Sequence, residues 1–115
     1  MAEILSSGRG LEVHLRGTKG NTVLHTCAEN GDYASVQFLV LNLMASPHRR
    51  NTDEENVLFH ALPYSELCAF FANQFPRDIF KLMTSANIYG RTLFHRAAAE
   101  GVIDGLILLM KGLDI

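Results

Sequence analysis

Apolar residues in the first half of the chain fall on one helical stripe. Val36, Leu39, Val40 and Leu43 recur at i, i+3, i+4 and i+7, which predicts an amphipathic helix over residues 32–44. Asp32 supplies the short acceptor side chain that caps such a helix, and Gly31 can take the backbone that stops an earlier one. That earlier helix is predicted over residues 21–29, with Thr22 as its capping hydroxyl. Near the other end the stripe returns as Leu106, Leu109, Met110 and Leu113, within helices predicted at about 92–100 and 103–110. Gly105 weakens the last of these by roughly 1 kcal/mol if it is exposed in the helix interior.

The middle is less regular. Residues 46–55 are polar, contain Pro47 and predict a loop. Pro63 ends a short helix after Leu62, and Ser65 is placed to cap another that carries Leu67, Phe70, Phe71 and Phe75 on one face. After Pro76, Ile79, Leu82, Met83 and Ala86 repeat the helical spacing. They predict an extra short helix that replaces most of the hairpin due at that point, before residues 87–91 turn the chain again.

The outer parts are copies of one another. Residues 20–31 read Gly-Asn-Thr-Val-Leu-His-Thr-Cys-Ala-Glu-Asn-Gly, and residues 89–101 read Tyr-Gly-Arg-Thr-Leu-Phe-His-Arg-Ala-Ala-Ala-Glu-Gly. His60 lies midway between His25 and His95, and each histidine follows a hydrophobic pair, so the period is 35 residues. A unit of that length cannot bury its apolar face alone; neighbouring units must stack to make a continuous core. The two leucine-rich stripes stand at equal offsets from His25 and His95, an agreement not used to set the phase.

At these residues the chain resembles the ankyrin repeat family, whose unit opens Gly-x-Thr-Pro-Leu-His-x-Ala-Ala. Residues 10–22 resemble the hairpin that joins such units, and Gly112-Leu113-Asp114-Ile115 resembles the start of another. The resemblance implies an all-α, helix-turn-helix repeat solenoid with short hairpin loops. It implies one domain over residues 1–115, with units at about 17–50, 51–86 and 87–115 and residues 1–16 as a partial N-terminal unit or cap. Ile4-Leu5 then reads as the tail of an earlier helix or a frayed start, and the chain as a fragment of a longer array or an abruptly ending protein. The family proline is absent, with Val23 and Leu93 in its place, and the second unit departs furthest: Val57 stands where Thr22 and Thr92 stand, and Glu55 replaces the opening glycine.

Composition narrows the function. The chain has 115 residues, 48% of them hydrophobic, enough for one compact domain, and a net charge of −2 that offers no bulk attraction to nucleic acid or anionic membrane. Its apolar runs are too short to span a bilayer, and the N-terminus lacks the features of a secretory signal. Cys27 and Cys68, unpaired in spacing and set among apolar residues, read as reduced, buried thiols of an intracellular protein, cytoplasmic or nuclear.

Catalytic chemistry finds little footing. His25 and Cys27, two apart on a helix, point to different faces, and no Cys-x-x-Cys or His-x-x-x-His accompanies them. No metal or cofactor is therefore expected, and His25, His60, His95 and both cysteines read as structural. The resemblance implies that Thr22 with His25, and Thr92 with His95, pin turn to helix by hydrogen bonds. Val57 cannot do this for His60, so that unit should rest on its aromatics, and His25→Ala and His95→Ala should each cost more than His60→Ala. The seven phenylalanines, Phe38, Phe59, Phe70, Phe71, Phe75, Phe80 and Phe94, read mainly as core, with a groove possible where the second unit is distorted. His48-Arg49-Arg50, answered by Asp53-Glu54-Glu55, reads as a solvated loop.

The family resemblance implies a non-catalytic module that binds another protein through hairpin tips and inner helices. The alternative is a scaffold segment of a larger enzyme or effector with its catalytic domain elsewhere. Carried over by position, the binding residues are Arg16, Thr18 and Lys19 at the first tip, Thr26, Glu29 and Asn30 on the first inner helix, Asp53 and Glu54 from the second unit, Ile88 and Tyr89 at the third tip, and Arg96, Ala99 and Glu100 on the third inner helix.

Overall fold

The computed structural model describes residues 15–111. The readings made for residues 1–14 and 112–115, including most of the partial N-terminal unit, the start of the opening hairpin and the second half-hairpin with Leu113, lie outside the described residues.

Within them the chain forms seven α-helices and no strand: α1 (Val23–Glu29), α2 (Tyr33–Leu43), α3 (Leu58–Ala61), α4 (Ser65–Gln74), α5 (Ile79–Thr84), α6 (Leu93–Glu100) and α7 (Ile103–Lys111). They pack in two rows. The inner row is α1, α3 and α6, the outer row is α2, α4 and α7, and each helix touches its predecessor in its own row. This stacked arrangement is the helical repeat solenoid that the 35-residue period requires.

The predicted ends hold closely in the first unit. Thr22 caps α1 and Asp32 caps α2, its carboxylate accepting from the Ser35 amide at 3.2 Å. Gly31 sits between them at φ +70, and the ring of Tyr64 lies so close that a β-carbon there would come within 2.6 Å of it. Val36, Leu39 and Val40 are buried, as the stripe predicts, and so are Leu106 and Leu109.

The departures have local causes. Met110 is 45% exposed, because α7 ends the described stack and that side of it has no helix against it. Ser65 is the first residue of α4 and not its cap; Tyr64 holds the cap position without a side-chain bond to the helix, its hydroxyl donating to the Glu29 carbonyl at 3.0 Å. Of the phenylalanines, Phe59, Phe70 and Phe71 are buried and Phe75 packs against the core, whereas Phe38, Phe80 and Phe94 are exposed, so the core reading fails for those three. Ala86 lies beyond α5 and is exposed.

Gly105 is buried where α7 meets α4 and the end of α3, and an added β-carbon would meet the Leu62 carbonyl oxygen at 2.5 Å and the Cys68 sulfur at 2.9 Å. It is a close-approach glycine and not an exposed weak point, so the propensity cost read from the sequence is offset by helix packing. The loop at 46–55 is not fully solvated either: Pro47, Asn51 and Glu55 are all buried.

Candidate partner-binding surface

Three turns of one design punctuate the chain. Gly17 bonds to Asn21, Asn51 to Glu55 and Asn87 to Arg91, each by its amide to the carbonyl four residues on, at 2.7, 3.1 and 2.8 Å. The fourth residue of each is left-handed: Gly20 at φ 72, Glu54 at φ 63 and Gly90 at φ 76. Asn51 and Asn87 fold their own turns, since each side-chain carbonyl accepts two amides, Asp53 and Glu55 for the first, Tyr89 and Arg91 for the second, all within 2.9–3.0 Å. Glycine at position 17 has no such side chain.

The turns are stitched to one another by backbone. Thr52 donates its amide to the Lys19 carbonyl at 3.0 Å, and Ile88 donates to the Asp53 carbonyl at 2.9 Å. The extra helix α5 therefore precedes the third tip and does not replace it, contrary to the expectation from sequence. It anchors back through Asn56, whose side-chain amide donates to the Leu82 carbonyl at 3.0 Å.

Behind the tips His25 and His95 make the threonine bonds that the family resemblance implies, with unequal burial. The Nδ1 of His25 accepts from the Thr22 amide at 3.2 Å and lies 2.8 Å from the Thr22 hydroxyl, and its Nε2 lies 2.9 Å from the Glu55 carbonyl oxygen. A backbone amide can only donate, so Nδ1 carries the lone pair and Nε2–H donates to Glu55. Burial first, with nearby His60 and Arg16 charges adding to it, pushes the His25 pKa down to about 4. His95 makes the same bonds to Thr92, at 3.0 and 3.2 Å, but lies exposed.

His60 has no threonine. Its Nε2 accepts instead from the side-chain amide of Asn51 at 3.3 Å, its ring meets His25 edge to face at 5.4 Å, and burial lowers its pKa. The same Asn51 amide group reaches the Asn21 side chain at 2.9 Å. Asn56 then takes over the start of α3, accepting from the Leu58 amide at 3.0 Å. This polar network joins the aromatic contacts of Phe70, Phe71 and Phe75 in holding unit two.

Glu55 is the hinge of the site. Its carboxylate is buried and meets Arg96 at 2.6 Å and the Asn87 side chain at 3.0 Å. Arg96 also donates to the Phe59 carbonyl at 3.3 Å and lies 5.4 Å above the Phe59 ring. Arg96, expected as a binding residue, is thus largely committed to holding the second tip against the third inner helix.

Around this pair the structure opens a cleft of about 260 Å³ that brings Asp53, Tyr89, Arg96 and Ala99 together with Phe59, Asn87, Arg91, Thr92 and His95. Tyr89 and Ile88 are 68% and 52% exposed. Glu100 is exposed beside Arg96, at 3.7 Å. Glu54 pairs with Arg50 at 3.1 Å. Arg16 donates to the Gly20 carbonyl at 3.0 Å and to that of Arg50, so it clamps the first tip, while Thr18 and Lys19 are exposed there and Thr26, Glu29 and Asn30 are exposed on or just past α1. Sequence reasoning missed Asn87 and Arg91. The signal was the Asn51 and Asn87 pair, each opening a turn whose fourth residue needs a left-handed backbone.

The thiols are held in the protonated form: burial pushes Cys68 up to about 12, and burial followed by the Asp32 charge raises Cys27, the opposite of what a nucleophilic cysteine requires.

A two-row helical stack with turns laddered along one edge defines the class, and the family comparison agrees. The family model described as "Ankyrin repeats (3 copies)" matches residues 24–115, most of the chain, which therefore belongs to the ankyrin repeat family. Members are in general non-catalytic protein–protein interaction modules. None of the curated proteins matches the chain. No described helix is long and apolar enough to cross a membrane.

Proposed function

We propose that the chain is a non-catalytic module that binds a partner protein along its tips and inner helices, with the cleft between the second and third units as the centre. The carrying observation is the third tip. Ile88 and Tyr89 present large apolar side chains to solvent while their backbones are fixed by the Asn87 turn and by the bond to Asp53. An exposed aromatic on a rigid backbone loses little entropy on docking, which is how binding anchors are built.

Arg91, Asp53, Thr92 and His95 give the cleft polar walls of both signs, suited to a partner segment with mixed charge. Arg16, Thr18, Lys19, Thr26, Glu29, Asn30 and Glu54 extend the surface towards the first unit, and Ala99 and Glu100 extend it along α6. Arg96 acts within it as a positioning residue through Glu55.

The test is affinity capture from a cytosolic extract with the native chain and with a variant carrying Ile88→Ser and Tyr89→Ser. Both side chains are exposed, so the variant folds with an unchanged urea midpoint. A protein bound by the native chain and lost by the variant supports the reading; identical captures by both overturn it.

A further inference from the structure

His25 and His95 are 70 residues apart, so residues at that spacing hold the same place in the first and third units. Leu24, Ala28 and Val40 of the first unit are buried, and Tyr33 meets the Phe70 ring of the second edge to face at 5.9 Å. Their counterparts in the third unit, Phe94, Ala98, Met110 and Ile103, are all exposed, as is Ile107. Both units pair their inner and outer helices alike, α1 on α2 and α6 on α7. The difference is therefore the neighbour: α1 and α2 carry α3 and α4 on that side, whereas α6 and α7 carry no described helix.

The opposite face shows the same contrast in reverse. In the third unit Leu93 and Ala97 are fully buried, and Gly105 lies where a β-carbon would meet the Leu62 carbonyl and the Cys68 sulfur. Their counterparts in the first unit are Val23, Cys27 and Ser35. With Ala34, Phe38 and Leu39 these line an open cleft of about 310 Å³ that holds no charged side chain. Val23 and Phe38 are 43% and 55% exposed there.

Each end thus presents one side of a joint of the kind that already holds the units together. The first end presents the side that Leu93, Ala97 and Gly105 form in the third unit, and the last end the side that Leu24, Tyr33 and Val40 form in the first. Both sides are apolar, the character of a surface that is covered in use. They stand at opposite ends of the stack, so one copy cannot close them on itself, whereas two copies in line can.

We infer that the chain self-associates head to tail, the face of one copy that carries Phe94, Ile103, Ile107 and Met110 seating in the cleft of the next copy that Val23, Cys27 and Phe38 line. A foreign partner must imitate the face of a repeat to fit this cleft; a second copy already carries one. The two surfaces differ, so each contact leaves one of each kind free, and the assembly grows as an open row instead of closing as a symmetric dimer. Separate copies lose translational and rotational freedom that linked units do not, so the association is concentration-dependent.

The test is sedimentation equilibrium of the full chain over a series from micromolar to millimolar protein. The average mass of the native chain is expected to rise with concentration past that of a dimer, without a plateau. Phe38→Glu spoils the first face and Ile107→Glu the last, both at exposed positions, so each variant alone should stay a monomer. An equimolar mixture of the two restores one good joint and should reach the dimer and stop there. Phe38→Ser and Ile107→Ser repeat these arms with a smaller change, and circular dichroism checks the fold of each. Tyr89→Ser should leave the association unchanged, which separates these faces from the cleft between the second and third units. A native chain that stays monomeric throughout overturns the inference, whether its first face is covered by another part of the chain or left bare. So does a plateau at the dimer, association kept by either variant alone, a mixture that stays monomeric, or loss on Tyr89→Ser.

Discussion

The first and second units solve the same problem with different chemistry. In the first, a threonine three residues before a histidine caps the inner helix, and the histidine reaches across to the Glu55 carbonyl. In the second, valine replaces the threonine, and the work passes to Asn51, Glu55 and Asn56, which cap α3 and tie three tips together. The histidine position persists in both, but its partners come from the helix cap in one and from the loop in the other. A repeat can therefore lose its signature hydroxyl and keep its place in the stack, provided that loop side chains satisfy the same buried donors and acceptors.

The largest expected effect lies in the outer row, where the third unit meets the second. Gly105→Val must push α7 off the Leu62 carbonyl and the Cys68 sulfur, and should cost about 3 kcal/mol, by analogy with overpacked cores; a urea midpoint near that of the native chain would show that the contact is slack.

Acid tests the inner row to a similar extent. The His25 pKa falls from 6.5 to about 4 on folding, so the unfolded chain takes the proton first. The pH-linked stability that this shift represents, about 3 kcal/mol and distinct from the cost of removing the side chain, is fully present above pH 6.5 and is lost as the pH falls towards 4. His60 shifts in the same direction. Unfolding of the native chain and of His25→Gln across that range should give curves that converge in acid; parallel curves would contradict the buried neutral imidazole.

At neutral pH, His25→Ala should cost about 2 kcal/mol and the exposed His95→Ala under about 1 kcal/mol, with His60→Ala between them. This revises the order expected from sequence, in which both threonine-paired histidines exceed His60, since pairing without burial is worth little. Arg96→Ala should cost about 2 kcal/mol, because it leaves the buried Glu55 carboxylate with Asn87 as its remaining side-chain partner. Smallest, and opposite in sign, Glu54→Gly should stabilise by about 0.5 kcal/mol by relieving a left-handed backbone at φ 63 that the other two tips fill with glycine. Denaturant midpoints resolve all of these.

Much of the fold was legible because it rests on local signals. The stripes at Val36–Val40 and at Leu106 and Leu109, the caps Thr22 and Asp32, and the histidine period each depend on residues within a few turns of one another. What was hidden depends on contacts between units. That Glu55 is buried, that Arg96 faces inward and that Gly105 is a contact follow from side chains 30 or more residues apart, which no periodicity reports. The binding surface divides the same way: Ile88 and Tyr89 could be placed from the turn, whereas the cleft that Tyr89 borders needed Asn87, Arg91 and Phe59 brought together by the stack.

Central to this account is that the laddered tips form the working surface. Hydrogen exchange on the chain bound to a captured partner tests it most directly. Slowed exchange is expected at the amides of residues 18–19, 52–54 and 88–91 and along α6, with α2, α4 and α7 unchanged. Protection confined to those outer helices, with the tips exchanging as in the free chain, would contradict it.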